Sequence, residues 1–358
     1  MKQYLKTLGA VVGIIAALVL LYLAAVYLFV FVPSFTRYNL KEADIKKYFR
    51  TEEFYSAYLK EKSWFESKKP ETVSIASDDG LKLVAYSLPF DKADSEGIDE
   101  PLGTLVLMHG YHSEPVREYA SLLHFYHDLG YNILLPYQRT HGLSEGKYIT
   151  FGIKERVDLV SWMKKANEIF GSDKPLFVQG ISMGCATAVM SLGSPDLPPN
   201  LSGVVADCGF TSPKAIIWKV LKKDKKLPTA SLMLEIGDYW MRKFIGVGME
   251  DYSTFDAIDF NKQRVEQIPI LFIHGTEDEF VPIEMTEQNF ARCIGNFSEL
   301  RGGDLGNVVV SANPQSDRYK YIQIKDSPHA IANVVNPEKY RSEVKKFFEK
   351  YSNKGGEK

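Results

Sequence analysis

Residues 175–186, PLFVQGISMGCA, limit the folds open to this chain more than any other stretch. An apolar run, Leu176-Phe177-Val178, leads into Gly180-Ile181-Ser182-Met183-Gly184, and small, helix-compatible residues follow. Strand, sharp turn, helix is the setting in which G-x-S-x-G becomes a nucleophile elbow, with the serine raised at the turn. The glycines leave room where the backbone reverses so tightly, and the serine must take a sparsely populated conformation. Read alone, the five residues describe an ordinary Gly/Ser turn; the flanking pattern makes Ser182 the candidate nucleophile.

A serine hydroxyl is a weak nucleophile until a base takes its proton and a third group orients that base. With this elbow the partners follow in the order serine, acid, histidine. Of the seven histidines, His109, His112, His124, His127 and His141 precede Ser182. His274 lies inside the apolar run 268–275 (IPILFIHG), which reads as a buried strand. That leaves His329, in the polar loop 325–330 (KDSPHA) between a strand-like and a helix-like segment. The acid stays open at this point. Glu277, Asp278 and Glu279 follow the strand at 268–275, and Asp207 ends another strand-like run at 204–210 (VVADCGF).

Acyl transfer also needs donors aimed at the oxygen on which negative charge develops. Residues 104–110 (TLVLMHG) read as a buried strand whose tip offers the backbone N–H of Tyr111, and the residue after the nucleophile offers that of Met183. His112 and Ser113 continue the same tip and are candidate substrate contacts.

Around these motifs the pattern alternates. Two alternating runs at 71–88 flank Asp79-Gly80, a hairpin signal. Strand-like runs at 102–108, 131–136, 176–180, 203–207, 269–274 and 320–325 then alternate with helix-like segments at 117–129, 155–170, 182–192, 284–294 and 338–351. Near-continuous apolar strands between amphipathic helices predict an α/β fold with a mostly parallel sheet covered on both faces, and ligands bound beyond the carboxyl ends of its strands.

The features LVLMHGYHS, LLPYQRTHGLSEG, VQGISMG, VVADCGF, LFIHGTEDEFVP and SPHA occur in an order that resembles the α/β-hydrolases, across about residues 71–350. The likeness is to small bacterial prolyl-oligopeptidase-like or serine-aminopeptidase-like hydrolases. The resemblance implies an eight-stranded-type sheet, and it makes the aspartate of H-G-x-x-D-x-x-V-P the triad acid, here Asp278, and the histidine of S-P-H the base, here His329. Thr140 stands where such proteins usually have glycine, in a loop expected to be remote from the chemistry.

An insertion at about 211–265 carries helical periodicity and reads as a small lid. Phe210, just before it, and Trp218 and Trp240 within it are candidate substrate contacts, although aromatic residues at helical spacing more often pack. The expected reaction is carboxylic ester cleavage through an acyl-enzyme, on a small-molecule ester or short peptide, because the lid is apolar and no propeller-type domain restricts access. Peptidase or amidase action and acyl transfer use the same groups, and a tethered non-catalytic binding protein is the reading of another class.

No charged residue occurs from Thr7 to Thr36, and residues 9–32 are almost wholly apolar, enough to cross a hydrocarbon core about 30 Å thick. Bulky residues at 27–32 fit a signal-peptide cut badly, so residues 1–36 read as a retained single-pass membrane anchor in contact with lipid, residues 37–70 as a helical spacer, and residues 71–352 as the catalytic domain. Lys2 and Lys6 favour a cytoplasmic N-terminus and an extracytoplasmic catalytic domain; Arg37, Lys41, Lys46, Lys47 and Arg50 oppose it. A net charge of −2 gives no reason to expect nucleic acid. Residues 142–147 (GLSEGK) are too short for a phosphate loop, no zinc or dinucleotide motif occurs, and neither a cofactor nor a metal is expected.

Overall fold

The computed structural model describes residues 1–31, 46, 49, 51–93, 97–295, 309–311 and 318–352. The charged flank of the apolar stretch at 37–45, with Lys47 and Arg50, lies outside the described residues.

The strands are β1 (Glu71–Ala76), β2 (Lys82–Leu88), β3 (Gly103–Met108), β4 (Tyr131–Pro136), β5 (Leu176–Ile181), β6 (Leu201–Asp207), β7 (Ile270–Gly275), β8 (Val309–Ser311) and β9 (Tyr319–Ile324). They form one sheet in the order β1-β2-β4-β3-β5-β6-β7-β9-β8. The pairs from β4 through β3, β5, β6 and β7 to β9 are parallel, while β1, β2 and β8 pair antiparallel at the two edges. The short β8 adds a ninth strand to the eight expected.

The helices are α1 (Lys2–Phe31), α2 (Glu52–Ser67), α3 (Pro115–Asp128), α4 (Glu155–Phe170), α5 (Met183–Ser191), α6 (Pro213–Trp218), α7 (Ala230–Ile245), α8 (Thr254–Lys262), α9 (Ile283–Ile294), α10 (Ala332–Val335) and α11 (Pro337–Ser352), with a π-helical turn at Lys219–Asp224. Every residue of β3, β4, β5 and β7 is buried, because crossover helices cover both faces of a parallel sheet. Alternation along β3 sorts the two cores. Val106 and Met108 pack with Trp162, Val189, Ile258 and Phe290 on one face, while Leu105 and Leu107 pack with Tyr119, Leu122, Tyr340 and Phe348 on the other.

A polar seam crosses the second core. The Tyr340 hydroxyl donates to Asp207 Oδ2 at 2.8 Å and accepts from Gln179 Nε2 at 2.9 Å, and the Tyr126 hydroxyl donates to Gln179 Oε1. Burial pushes the Asp207 carboxyl up to about 6, against the hydrogen bond from Tyr340.

Two expected divisions come out differently. In the 37–70 stretch, α2 is docked on the hydrolase domain: Trp64 stacks on His124 of α3 at 4.4 Å between ring centroids, and Phe65 meets Tyr86 of β2 edge-on at 5.7 Å. A helix with Phe65, Tyr58 and Tyr55 buried cannot stand away as a spacer without exposing them. In the 211–265 insertion, Ala257 and Ile258 of α8 sit in the main core, so the lid-like part is α6, the π-helical turn and α7. These carry their own apolar cluster, with Ile216, Leu221, Met233, Leu234 and Met241 packed beside Met183 and Phe210. Lys219 fastens the π-helical turn below: its buried ammonium donates to the Glu279 carbonyl and pairs with Asp224 at 2.9 Å.

The elbow joins β5 to α5. Ser182 has φ +56° and ψ −118°, a conformation that a residue with a Cβ rarely adopts. A Cβ on Gly184 would lie 1.9 Å from the Met108 carbonyl oxygen, and one on Gly180 would lie 2.1 Å from that of Gly184. Gly184→Ala must therefore push β3 from α5; denaturant unfolding is expected to show a loss of about 3 kcal/mol or more. For Asp207, a folded-state value above the unfolded one means stability present at low pH and lost as pH rises through about 6. Asp207→Asn keeps an acceptor for Tyr340, so unfolding measured at pH 4 and at pH 7.5 should show the variant gaining up to about 3 kcal/mol on the parent between the two.

Candidate active site

Ser182 at the β5–α5 turn, Asp278 after β7 and His329 after β9 meet at the carboxyl edge of the sheet. His329 Nε2 lies 2.9 Å from Ser182 Oγ, and Nδ1 lies 2.6 Å from Asp278 Oδ2. A carboxylate only accepts, so Nδ1 carries the ring proton and Nε2 turns a lone pair to the serine hydroxyl. The turn is pinned below by the Ser182 N–H, which donates to the Asp207 carbonyl at 2.9 Å. Asp207 belongs to the seam under the site, and Asp278, not Asp207, holds the histidine.

Asp278 is fully enclosed. Its Oδ1 accepts the N–H groups of Phe280 and Val281 at 2.9 and 2.8 Å, and Oδ2 faces His274 Nε2 at 3.1 Å. Burial alone would raise this carboxyl; the charge of His329 and the hydrogen bonds from His274 and His329 outweigh it and hold the group well below the usual carboxylate range. It therefore stays charged at neutral pH. His274, which reads from the sequence only as a strand residue, is a partner of the acid, its Nδ1 2.7 Å from Thr286 Oγ1. Its H-G-x-x-D spacing, four residues ahead of Asp278, was the available signal.

The tip of β3 borders the nucleophile, since a Cβ on Gly110 would lie 3.2 Å from Ser182 Cβ. Tyr111 follows directly. Met183 opens α5, and the first N–H groups of a helix have no acceptor within it. Ser113 is buried, its hydroxyl bonded to Glu118, so it faces α3. His112 has φ +50° and stacks on the Tyr111 ring at 3.9 Å. The Gln138–His141 loop is not remote from this tip. Gln138 N–H donates to His109 Nε2 at 3.0 Å, and His112 N–H donates to His141 Nε2 at 3.2 Å. Thr140 in that loop sits at φ +71°, where glycine is the easier residue.

The remaining candidate contacts are spread out. Phe210 is buried beside Phe151, with ring centroids 6.4 Å apart, in the cluster that contains Met183. Trp240 packs half-buried on that cluster. Trp218 lines a groove of about 800 Å³ between α6 and α7 together with Leu234, Tyr239, Arg242 and Met249; Ser182, Asp278 and His329 are not among its lining residues. Cys208 Sγ comes within 4.8 Å of ligand atoms of Asp278 and His329. Burial pushes that thiol up, so it stays protonated, and the other two groups are engaged with each other; the set suits a proton relay better than a cation.

The profile of the prolyl oligopeptidase family matches residues 145–355. YqkD, an uncharacterized protein of Bacillus subtilis strain 168, is 29% identical over 195 residues, which is 54% of this chain and 60% of that relative. The esterase Pf2001 of Pyrococcus furiosus superposes with a TM-score of 0.57 at 24% identity, covering 80% of this chain and 93% of its own. The acylaminoacyl peptidase of Pyrococcus horikoshii superposes with a TM-score of 0.50 at 13% identity, covering 81% of this chain and 42% of its own. Both structures share the α/β-hydrolase fold with this chain. The matched span carries Ser182, Asp278 and His329 together, and the chain belongs to the prolyl oligopeptidase family.

Proposed function

We propose that this protein is a membrane-tethered serine hydrolase that cleaves carboxylic esters through an acyl-enzyme. The observation that carries the reading is the unbroken relay from Ser182 Oγ through His329 to Asp278, at 2.9 and 2.6 Å, on a serine whose backbone is held at φ +56°. His329 Nε2 takes the hydroxyl proton as Ser182 Oγ attacks the ester carbonyl. The buried Asp278 charge stabilises the imidazolium. The N–H groups of Tyr111 and Met183 receive the oxyanion. His329 then returns the proton to the departing alkoxide, and water, activated by the same imidazole, releases the acid from the serine.

Esters are favoured over peptides because the lid cluster packed beside Met183 is apolar. Among the described lid residues, Lys219, Arg242 and Lys214 are paired with Asp224, Asp238 and Glu250. The esterase among the similar structures fits this reading; the peptidase among them keeps amide cleavage as the second one.

The tether is α1, whose residues Lys2–Tyr22 include a window of mean hydropathy 2.2, apolar and long enough to cross a bilayer. A signal sequence passes the same test. Retention of the span, with the catalytic domain outside, is the form proposed.

A fluorophosphonate probe should label the full chain and not Ser182→Ala, which should lose about 10⁴-fold or more in kcat/KM, and Asp278→Asn should lose about 10²–10⁴-fold. Assays of p-nitrophenyl esters against aminoacyl anilides separate the chemistries: the expected outcome is ester turnover exceeding anilide turnover at least tenfold, and the reverse order overturns the ester assignment. After carbonate extraction the full chain should stay with membranes at full length, whereas a shortened, soluble chain would mean a cleaved leader.

A further inference from the structure

We propose that His141 is a positioning residue for the oxyanion-stabilising loop, its ring nitrogen fixing the main chain at His112 and through it the N–H of Tyr111. The inference rests on the reading of Ser182 as nucleophile and Tyr111 as donor. His112 sits at φ +50°, in a region that a non-glycine residue keeps only when its surroundings hold it there. Two groups grip its peptide units: its N–H donates to His141 Nε2 at 3.2 Å, and its carbonyl accepts from Arg117 Nη2 at 3.2 Å.

The His141 ring can serve in only one form. Nδ1 lies 2.9 Å from the Arg139 carbonyl, which only accepts, so the proton sits on Nδ1 and Nε2 presents a lone pair. Burial keeps the ring neutral by lowering its value to about 4, and Arg117, close by, works in the same direction. His109 packs edge-on at 4.9 Å and His112 at 6.5 Å, so the titratable groups facing the ring are these two histidines and Arg117, while the Arg139 guanidinium is turned away to Asp79 and Asp158. Both ring nitrogens are engaged by main chain, which leaves His141 no atom for proton transfer to substrate. Its effect runs through the loop. The peptide that carries the His112 N–H begins at the Tyr111 carbonyl, so rotating that peptide turns Tyr111, and displacing a donor by a fraction of an ångström weakens its hold on a developing charge. The Tyr111 ring, stacked between His112 and Phe151 at 3.9 and 5.2 Å, restrains the other side of the same residue.

The test compares His141→Phe and His141→Leu, which lack an acceptor, with His141→Gln, which retains one, in the full chain solubilised in detergent. Active-site titration with a fluorophosphonate confines each reading to folded, competent molecules. Besides kcat and KM on a p-nitrophenyl ester, the readout is the Ki of an aryl trifluoromethyl ketone. Ser182 Oγ adds to that carbonyl carbon, the C=O pair becomes an oxyanion on the loop, and the hydroxyl proton passes to His329 Nε2. The Phe and Leu variants should lose about 10–100-fold in kcat with KM within about threefold, and Ki should rise by the same factor, since one misplaced donor is worth on this order. His141→Gln should recover most of both. Unchanged kcat and Ki in the Phe and Leu variants, or a fall in kcat with no rise in Ki, overturns the inference. A parent chain that no probe labels overturns the nucleophile instead, a failure distinct from that of the loop.

Discussion

Everything at the catalytic edge depends on one tight crossing, where β5 hands over to α5 and the main chain at Gly184 lies against the Met108 carbonyl of β3. The crossing forces Ser182 to φ +56° and lifts its hydroxyl clear of the sheet, and it brings the tip of β3 alongside. Hydrogen bonds hold this costly conformation in place: the Ser182 N–H is tied to the Asp207 carbonyl and its own carbonyl to the Ala186 N–H. The strain is local and small beside the two apolar cores that flank it.

The acid shows how burial is used twice with opposite results. Asp207 ends β6 and Asp278 follows β7, its parallel neighbour, and both carboxylates are shut away from water. At Asp207 burial outweighs the hydrogen bonds from Tyr340 and Cys208 and the more distant histidine charges, and the carboxyl is pushed up to about 6; Asp278, in direct contact with two imidazoles and two backbone N–H groups, is held down. The same side chain thus gives a structural acid beneath the serine and, behind the histidine, one held in its charged form at neutral pH.

Much of this was legible from the chain. The strand runs at 102–108, 131–136, 176–180 and 269–274 fell within a residue or two of β3, β4, β5 and β7, because strands buried on both faces leave continuous apolar signatures. Ser182 and His329 could be picked out from local pattern and order, but Asp207 and Asp278 could not be separated that way, since both follow strands and only their three-dimensional partners differ. The docking of α2 was hidden for a related reason. Its Tyr55, Tyr58 and Phe65 lie among lysines and glutamates, and nothing local says which side meets α3. The bracing of His112 by His141 was out of reach too, because 29 residues separate two groups whose contact exists only once β3 and β4 are adjacent.

Lys219 ties the roof to the wall. Its ammonium, sunk between the Glu279 carbonyl and the Asp224 carboxylate, anchors the π-helical turn on the segment that carries Asp278. Asp224 belongs to the same turn, so the ion pair moves with it, and lifting the turn would cost the buried ammonium the Glu279 carbonyl. The segment that carries Asp278 is thus gripped from two directions, by the imidazoles of His274 and His329 on one side and by the turn above it on the other.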